Sequence, residues 1–201
     1  MSVQIVKKFL SEEYCKELTA KIDPLLVESP RRLYYSEIWG SQYPPKSFED
    51  QDFEADYFAN LSNSGRRGLS MLLNAFHLTK REVEKHYGVD ITLFEGGLMR
   101  MEENAVNKIH ADRFKLNSFV NGRDGDGDGD LCQFSAILYL SEHDKDFVGG
   151  YIDFPQHDLH IPPEYGMLLF FPGDEEHVHE VTKVLGGNRY GITMFMGYED
   201  V

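Results

Sequence analysis

From Asp90 onward the chain is written in short runs of Ile, Leu, Phe, Tyr and Met, broken at close intervals by clusters of Gly, Pro and Asp. Segments this brief bury an apolar face only by pairing with one another, so the pattern predicts a β-sandwich or barrel. Strands are expected near Leu98–Glu102, Lys108–Asp112, Cys132–Leu140, Gly150–Phe154, Leu159–Ile161, Met167–Phe171, Val178–Val184 and Tyr190–Gly197. The N-terminal part differs. Ser11 stands before Glu12 and Glu13, with Leu18 and Ile22 along one face, which predicts a capped helix ending before Pro24. Between Arg66 and His86, Leu69, Leu72, Leu73, Phe76 and Val83 recur at helical spacing, and Gly88 is placed to stop a second, longer helix. From Pro30 to about Asn63 no period holds, and loops are expected. Eight strands after a helical third give a mainly β, α+β fold, a jelly roll with N-terminal helices on one outer face.

A chain of 201 residues with no internal linker is expected to form one domain, 1–201, in which 1–90 give helical support and 91–201 the jelly-roll core. The 20 basic and 34 acidic residues leave a charge of −14, which repels phosphate backbones and excludes nucleic acid as a natural partner. Two cysteines, Cys15 and Cys132, are too few for a disulfide framework and fit a reducing, cytoplasmic compartment. No apolar run approaches the ~20 residues of a membrane span, so no membrane association is expected.

Asn121–Asp130 reads NGRDGDGDGD, four carboxylates on a backbone of maximal freedom. Asp124, Asp126, Asp128 and Gly129 match the opening of a calcium-binding EF-hand loop, but the twelfth position is Ser135 rather than Glu and no helices flank it. A mobile solvated insertion is the favoured reading, with calcium as the alternative.

The chemistry centres on His110-Ala111-Asp112. Residues i and i+2 of an extended chain point to one side, so an imidazole and a carboxylate here can share an ion. Later come His179-Glu180-Val181-Thr182 and, ten residues on from His179, Arg189 within Gly187-Asn188-Arg189-Tyr190. Two imidazoles and one carboxylate form the facial triad that binds Fe(II) and keeps positions open for a bidentate co-substrate and O₂. A buried cation nearby suits that co-substrate's far carboxylate. His177, two before His179 and expected on the same strand, competes for the same ligand position, and the interval to Arg189 favours His179. His77, His86, His143, His157 and His160 are expected in structural or surface roles.

In these features the chain resembles the 2-oxoglutarate and Fe(II)-dependent dioxygenases, particularly the prolyl 4-hydroxylase-like branch, whose core is a double-stranded β-helix. The likeness extends to an opening strand followed by a helix bearing Leu10, Ser11 and Cys15, to Ala136–Leu140 with the Gly149–Pro155 turn and strand, and to Gly166–Pro172 before the distal histidine. It implies His110, Asp112 and His179 as metal ligands and Arg189 as the 2-oxoglutarate-binding residue. Tyr139 matches a tyrosine that bonds the same carboxylate in some members, against a plain core role. Fe(II), 2-oxoglutarate and O₂ are the implied cofactor and co-substrates, with room for ascorbate as a reductant. The implied reaction is hydroxylation of a C–H bond, first of all in a prolyl residue of a peptide or protein that the aromatic Tyr34–Tyr43 segment, with Trp39, and the Asn121–Asp130 insertion would frame. A free amino acid or small molecule is the alternative substrate, and a non-catalytic metal- or ligand-binding jelly roll the alternative class. The chain departs from the branch's pattern at Asn107 and Met101, where relatives carry tyrosines, and at Lys183, where proline is common.

Overall fold

The computed structural model describes residues 2–26, 32–38, 63–113 and 132–198. Among them, helix α1 (Glu12–Ile22) begins where expected: the Ser11 hydroxyl accepts from the Tyr14 N–H at 3.2 Å, and Glu12 and Glu13 lie in the first turn. A 3₁₀ turn at Asp23–Leu26 follows it. Helix α2 (Asn63–Tyr87) is longer than its apolar period showed and stops at Gly88, whose φ of +70° only glycine adopts without strain. The two helices cross closely at Gly68, where a Cβ would lie 2.9 Å from Lys21 Cβ.

Twelve strands form three antiparallel sheets among the described residues. The major sheet runs β1 (Gln4–Val6), β9 (Leu168–Pro172), β5 (Phe134–Tyr139), β12 (Arg189–Gly197), β3 (Leu93–Met101), β2 (Arg32–Ile38). The minor sheet runs β4 (Asn107–His110), β10 (His179–Val181), β7 (Ile152–Phe154), β8 (Leu159–Ile161), and β11 (Val184–Gly187) pairs with β6 (Phe147–Gly149).

Side-chain alternation divides the major sheet into two faces. Ala136 and Leu138 on β5, Leu168 and Phe170 on β9, and Ile192, Met194 and Met196 on β12 pack with Cys15, Leu18, Leu72, Phe76 and Val83 of the helices. The other face carries Ile137, Tyr139, Leu169 and Phe171 against Ile152, Phe154 and Ile161. The helices therefore cover one side of the sandwich, and the space between the sheets is left for a site.

The structure corrects three expectations. Residues 32–38 are strand β2 rather than loop, because pairing with β3 from Arg32↔Met99 to Ile38↔Leu93 supplies an order that local period did not show. The expected strand Val178–Val184 is two strands, broken at Thr182 and Lys183, where Tyr151 N–H donates to Thr182 Oγ1 at 2.9 Å and Gly150 N–H to the Lys183 carbonyl at 3.0 Å. His177 belongs to a 3₁₀ turn, Glu175–His177, and not to the strand of His179. Trp39, Tyr43 and Asn121–Asp130 lie outside the described residues, and Tyr34 is described only as part of the β2 backbone.

A polar knot ties α1 to the sheet. Asp23 Oδ1 accepts from Tyr190 Oη at 2.5 Å and from Arg100 Nη1 at 2.7 Å, and Arg100 also pairs with Glu102 at 2.8 Å. Burial pushes the Asp23 carboxyl up, but these donors outweigh it and hold it below its ordinary value, while burial and Asp23 push the Tyr190 hydroxyl up to about 12. A lowered carboxyl contributes stability above its unfolded pKa and loses it as pH falls through the lower folded value. Asp23→Asn is expected to destabilise the fold by about 1 kcal/mol at neutral pH, screening at this partly exposed carboxylate keeping the figure small. The deficit should shrink on acidification below pH ~4, which urea unfolding at several pH values will measure.

Candidate metal and co-substrate site

Antiparallel pairing of β4 with β10 sets His110 directly opposite His179, and their ring centroids lie 4.4 Å apart. Asp112 follows two residues after His110 and is 5% exposed. One ligand atom from each of His110, Asp112 and His179 lies within 4.8 Å of the others, and no further such group occurs among the described residues. The Nε2 atoms of His110 and His179 stand 3.3 and 3.6 Å from the two Asp112 oxygens.

Their other nitrogens are committed. His110 Nδ1 donates to the Lys108 carbonyl at 2.6 Å and His179 Nδ1 to the His177 carbonyl at 3.1 Å. A carbonyl only accepts, so in the neutral rings both Nε2 atoms carry lone pairs. Two lone pairs and a carboxylate aimed at one point repel unless a cation lies between them, which is the donor set of a divalent metal site. The Asp112 hydrogen bond raises His110 against its burial; burial lowers His179; and burial of Asp112 is outweighed by His110 and the field of His179, leaving its carboxyl below the usual range. Phe154 and Phe171 pack on the His179 ring at 5.3 and 4.9 Å and keep water from that side.

The triad lines a cavity of about 110 Å³ with Asn107, Met99, Ile137, Val181, Thr193, Phe195 and Arg189. Arg189 is 1% exposed. Its Nε donates to the Gly150 carbonyl at 3.0 Å, its Nη1 to Met101 Sδ at 3.3 Å, and its Cζ lies 5.0 Å from the centre of the Tyr139 ring. Arg189 Nη2 and the Tyr139 hydroxyl, both buried, have no hydrogen-bond partner among the described residues. Burial lowers Arg189 and raises Tyr139, each shift partly offset by the other group. A desolvated guanidinium with an idle N–H beside an idle phenol is a receptor for a carboxylate. These residues therefore fit both an Fe(II) ion and the distal carboxylate of a 2-oxo diacid.

His177 stands apart from this group. Its Nδ1 pairs with Asp174 at 2.5 Å and its ring stacks 4.8 Å from His157, so it serves His179 through its backbone carbonyl. His143 packs on Tyr151, His160 pairs with Asp153, His86 lies edge-on to Phe170, and His77 is on α2. Thr193 and the Gly150 carbonyl escaped sequence reasoning. For Thr193 the available signal was its position, four residues beyond Arg189 on the same strand face.

A family model of the 2OG-Fe(II) oxygenase superfamily matches residues 96–197, and the chain belongs to that superfamily. It is similar to 2-oxoglutarate and iron-dependent oxygenase domain-containing protein 3 of Rattus norvegicus (38% identity over 63 residues) and Homo sapiens (36% over 63). The matched stretch spans 30% of this chain and 20% of those relatives. Solved structures of the same fold include the viral collagen prolyl hydroxylase of Paramecium Bursaria Chlorella virus-1, with a TM-score of 0.60 at 15% identity over 99% of this chain and 97% of that one. A prolyl-4-hydroxylase of Pseudomonas putida gives a TM-score of 0.59 at 19% identity, covering 98% and 93%. No helix among the described residues is long and apolar enough to cross a membrane.

The turn that seats Arg189 is testable. Gly150 has φ +61°, and a Cβ there would meet Arg189 Cδ at 3.0 Å and Val184 Cγ2 at 3.2 Å. Gly150→Ala is expected to lower unfolding free energy by about 1–3 kcal/mol in denaturant titrations. Gly186→Ala, where a Cβ meets nothing within 4 Å, should stay near wild type.

Proposed function

We propose that this chain is a 2-oxoglutarate- and Fe(II)-dependent dioxygenase that hydroxylates a C–H bond, with residues 1–201 as a single catalytic domain. The observation that carries the reading is the convergence of His110, Asp112 and His179 in one cavity with a buried Arg189 whose Nη2 is idle. His110, Asp112 and His179 hold the metal, and Arg189 with Tyr139 binds the far carboxylate of 2-oxoglutarate. When bound, Fe(II), 2-oxoglutarate and O₂ supply an oxidative decarboxylation to succinate and CO₂ that inserts one oxygen atom into the substrate; ascorbate serves as an accessory reductant.

The chain's own contribution is placement. The Lys108 and His177 carbonyls keep the Nδ1 protons in place, so that each Nε2 remains a ligand. The Gly150 carbonyl and Met101 sulfur fix the guanidinium plane and turn Nη2 toward the acid. Phe154 and Phe171 exclude water behind His179.

For the substrate we favour a prolyl residue of a peptide or protein, supported by a fold shared with prolyl hydroxylases and by a −14 charge that disfavours acidic targets. A free amino acid or other small molecule is the second reading.

Purified protein with Fe(II) and 2-oxoglutarate under argon should develop a weak visible charge-transfer band. Asp112→Ala and His179→Ala should each abolish metal retention in equilibrium dialysis, whereas His177→Ala largely spares it; the opposite ranking refutes the ligand assignment. Arg189→Met should retain the metal and bind 2-oxoglutarate about 30-fold or more weakly, the loss expected when one partner of a buried charge pair is removed. Mass spectrometry of proline-containing peptide libraries should show a +16 Da product. Product formed only from free amino acids would select the second reading.

A further inference from the structure

On β10, His179 and Val181 are two residues apart, but their partners on β4, His110 and Asn107, are three apart. One extra residue is thus inserted on β4, a β-bulge spanning Lys108 and Ile109. Simple alternation would put Lys108 on the face of His110 and turn Asn107 away. Instead Lys108 and Ile109 both face solvent, Ile109 at 56% exposure, while Asn107 and His110 both turn inward. The bulge also places the Lys108 carbonyl 2.6 Å from His110 Nδ1. Asn107 lines the cavity with the triad and Arg189, and its Nδ2 stands 3.5 Å from His110 Nε2.

That nitrogen carries the lone pair a metal would take. With it engaged, the Asn107 amide loses its acceptor and remains a donor directed over the triad, within reach of whatever acid is seated there. An amide left idle in a half-buried cavity is costly, so an acceptor there gains its hydrogen bond without displacing another. We infer that Asn107 is a binding residue for the co-substrate: its amide donates to an oxygen on the 2-oxo-acid end of 2-oxoglutarate, at the opposite end from the carboxylate that Arg189 holds. The two groups then measure the length of the diacid between them. The inference rests on the function proposed above.

The test uses the full chain loaded with Mn(II), which binds like Fe(II) but does not turn over. Calorimetry reads the affinity for Mn(II) first and for 2-oxoglutarate second, in wild type, Asn107→Ala, Asn107→Asp and Asn107→Gln. Wild type that takes up Mn(II) yet binds no 2-oxoglutarate refutes the proposed function itself, whatever Asn107 does. Given wild-type binding, Asn107→Ala should weaken 2-oxoglutarate about tenfold, the scale of one hydrogen bond to a charged acceptor. Asn107→Asp should weaken it further, by placing like charge beside the acid, and Asn107→Gln should recover part of the loss. Mn(II) affinity in the alanine variant should stay within about threefold of wild type, since no ligand is removed. Unchanged 2-oxoglutarate affinity in the alanine and aspartate variants overturns the inference. So does a loss of Mn(II) affinity matching the loss of 2-oxoglutarate, which would make Asn107 a support for His110 alone.

Discussion

Burying a guanidinium with its Nη2 group unpartnered is a large free-energy cost, and the surroundings of Arg189 are arranged to sustain it. Its Nε reaches the Gly150 carbonyl only because the Gly149-Gly150 turn runs at φ of +74° and +61°, leaving no side chain where the arginine stem lies. Its Nη1 reaches Met101 because β12 and β3 are registered with Arg189 opposite Met101. On the other face of the same strand, Tyr190 is bonded to Asp23, so the start of β12 is held from both sides. The charge that remains uncompensated is available to an anion entering the cavity. Thioether sulfur is a weak acceptor, and at this position it steadies the guanidinium without neutralising it.

The metal-binding group depends on sheet pairing in a different way. His110 and His179 are 69 positions apart along the chain and meet because the short strands carrying them pair in the minor sheet. Asp112 is brought in by the chain continuing past β4, and the two Nδ1 hydrogen bonds to backbone carbonyls decide which nitrogen of each ring faces it. The backbone of His177, rather than its imidazole, performs this for His179. The two histidines that compete in the sequence are thus both used, one as a candidate ligand and one as the support that orients it.

Much of this was legible in advance where the information is local. The helix after Ser11, the stop at Gly88 and the strands carrying Ile137, Leu169 and Ile192 follow from capping chemistry and side-chain period, and the ligand types and spacing of His110, Asp112 and His179 mark them as candidates, whereas the roles expected of Arg189 and Tyr139 came from the resemblance to a family. Strand β2 was not legible, since the residues from 32 to 38 show no alternation of their own and are ordered by pairing with β3. The break after Val181 was hidden in the same way, because it is imposed by contacts with Gly150 and Tyr151 some 30 residues earlier. The departures at Asn107 and Met101 marked positions of interest but not what occupies them: each now lies in or against the cavity, one beside His110 and the other on Arg189.

By itself, then, the sequence determined the layered β-rich architecture and the inventory of groups able to bind a ferrous ion and a dicarboxylate, because periodicity and side-chain chemistry are properties of short stretches. The tertiary structure decided which nitrogen of His110 and His179 faces Asp112, which histidine stands behind another, and that Asn107 turns inward at all. Those outcomes depend on register, on a single inserted residue in β4 and on backbone carbonyls delivered from elsewhere, and all three come into being only when distant strands pair.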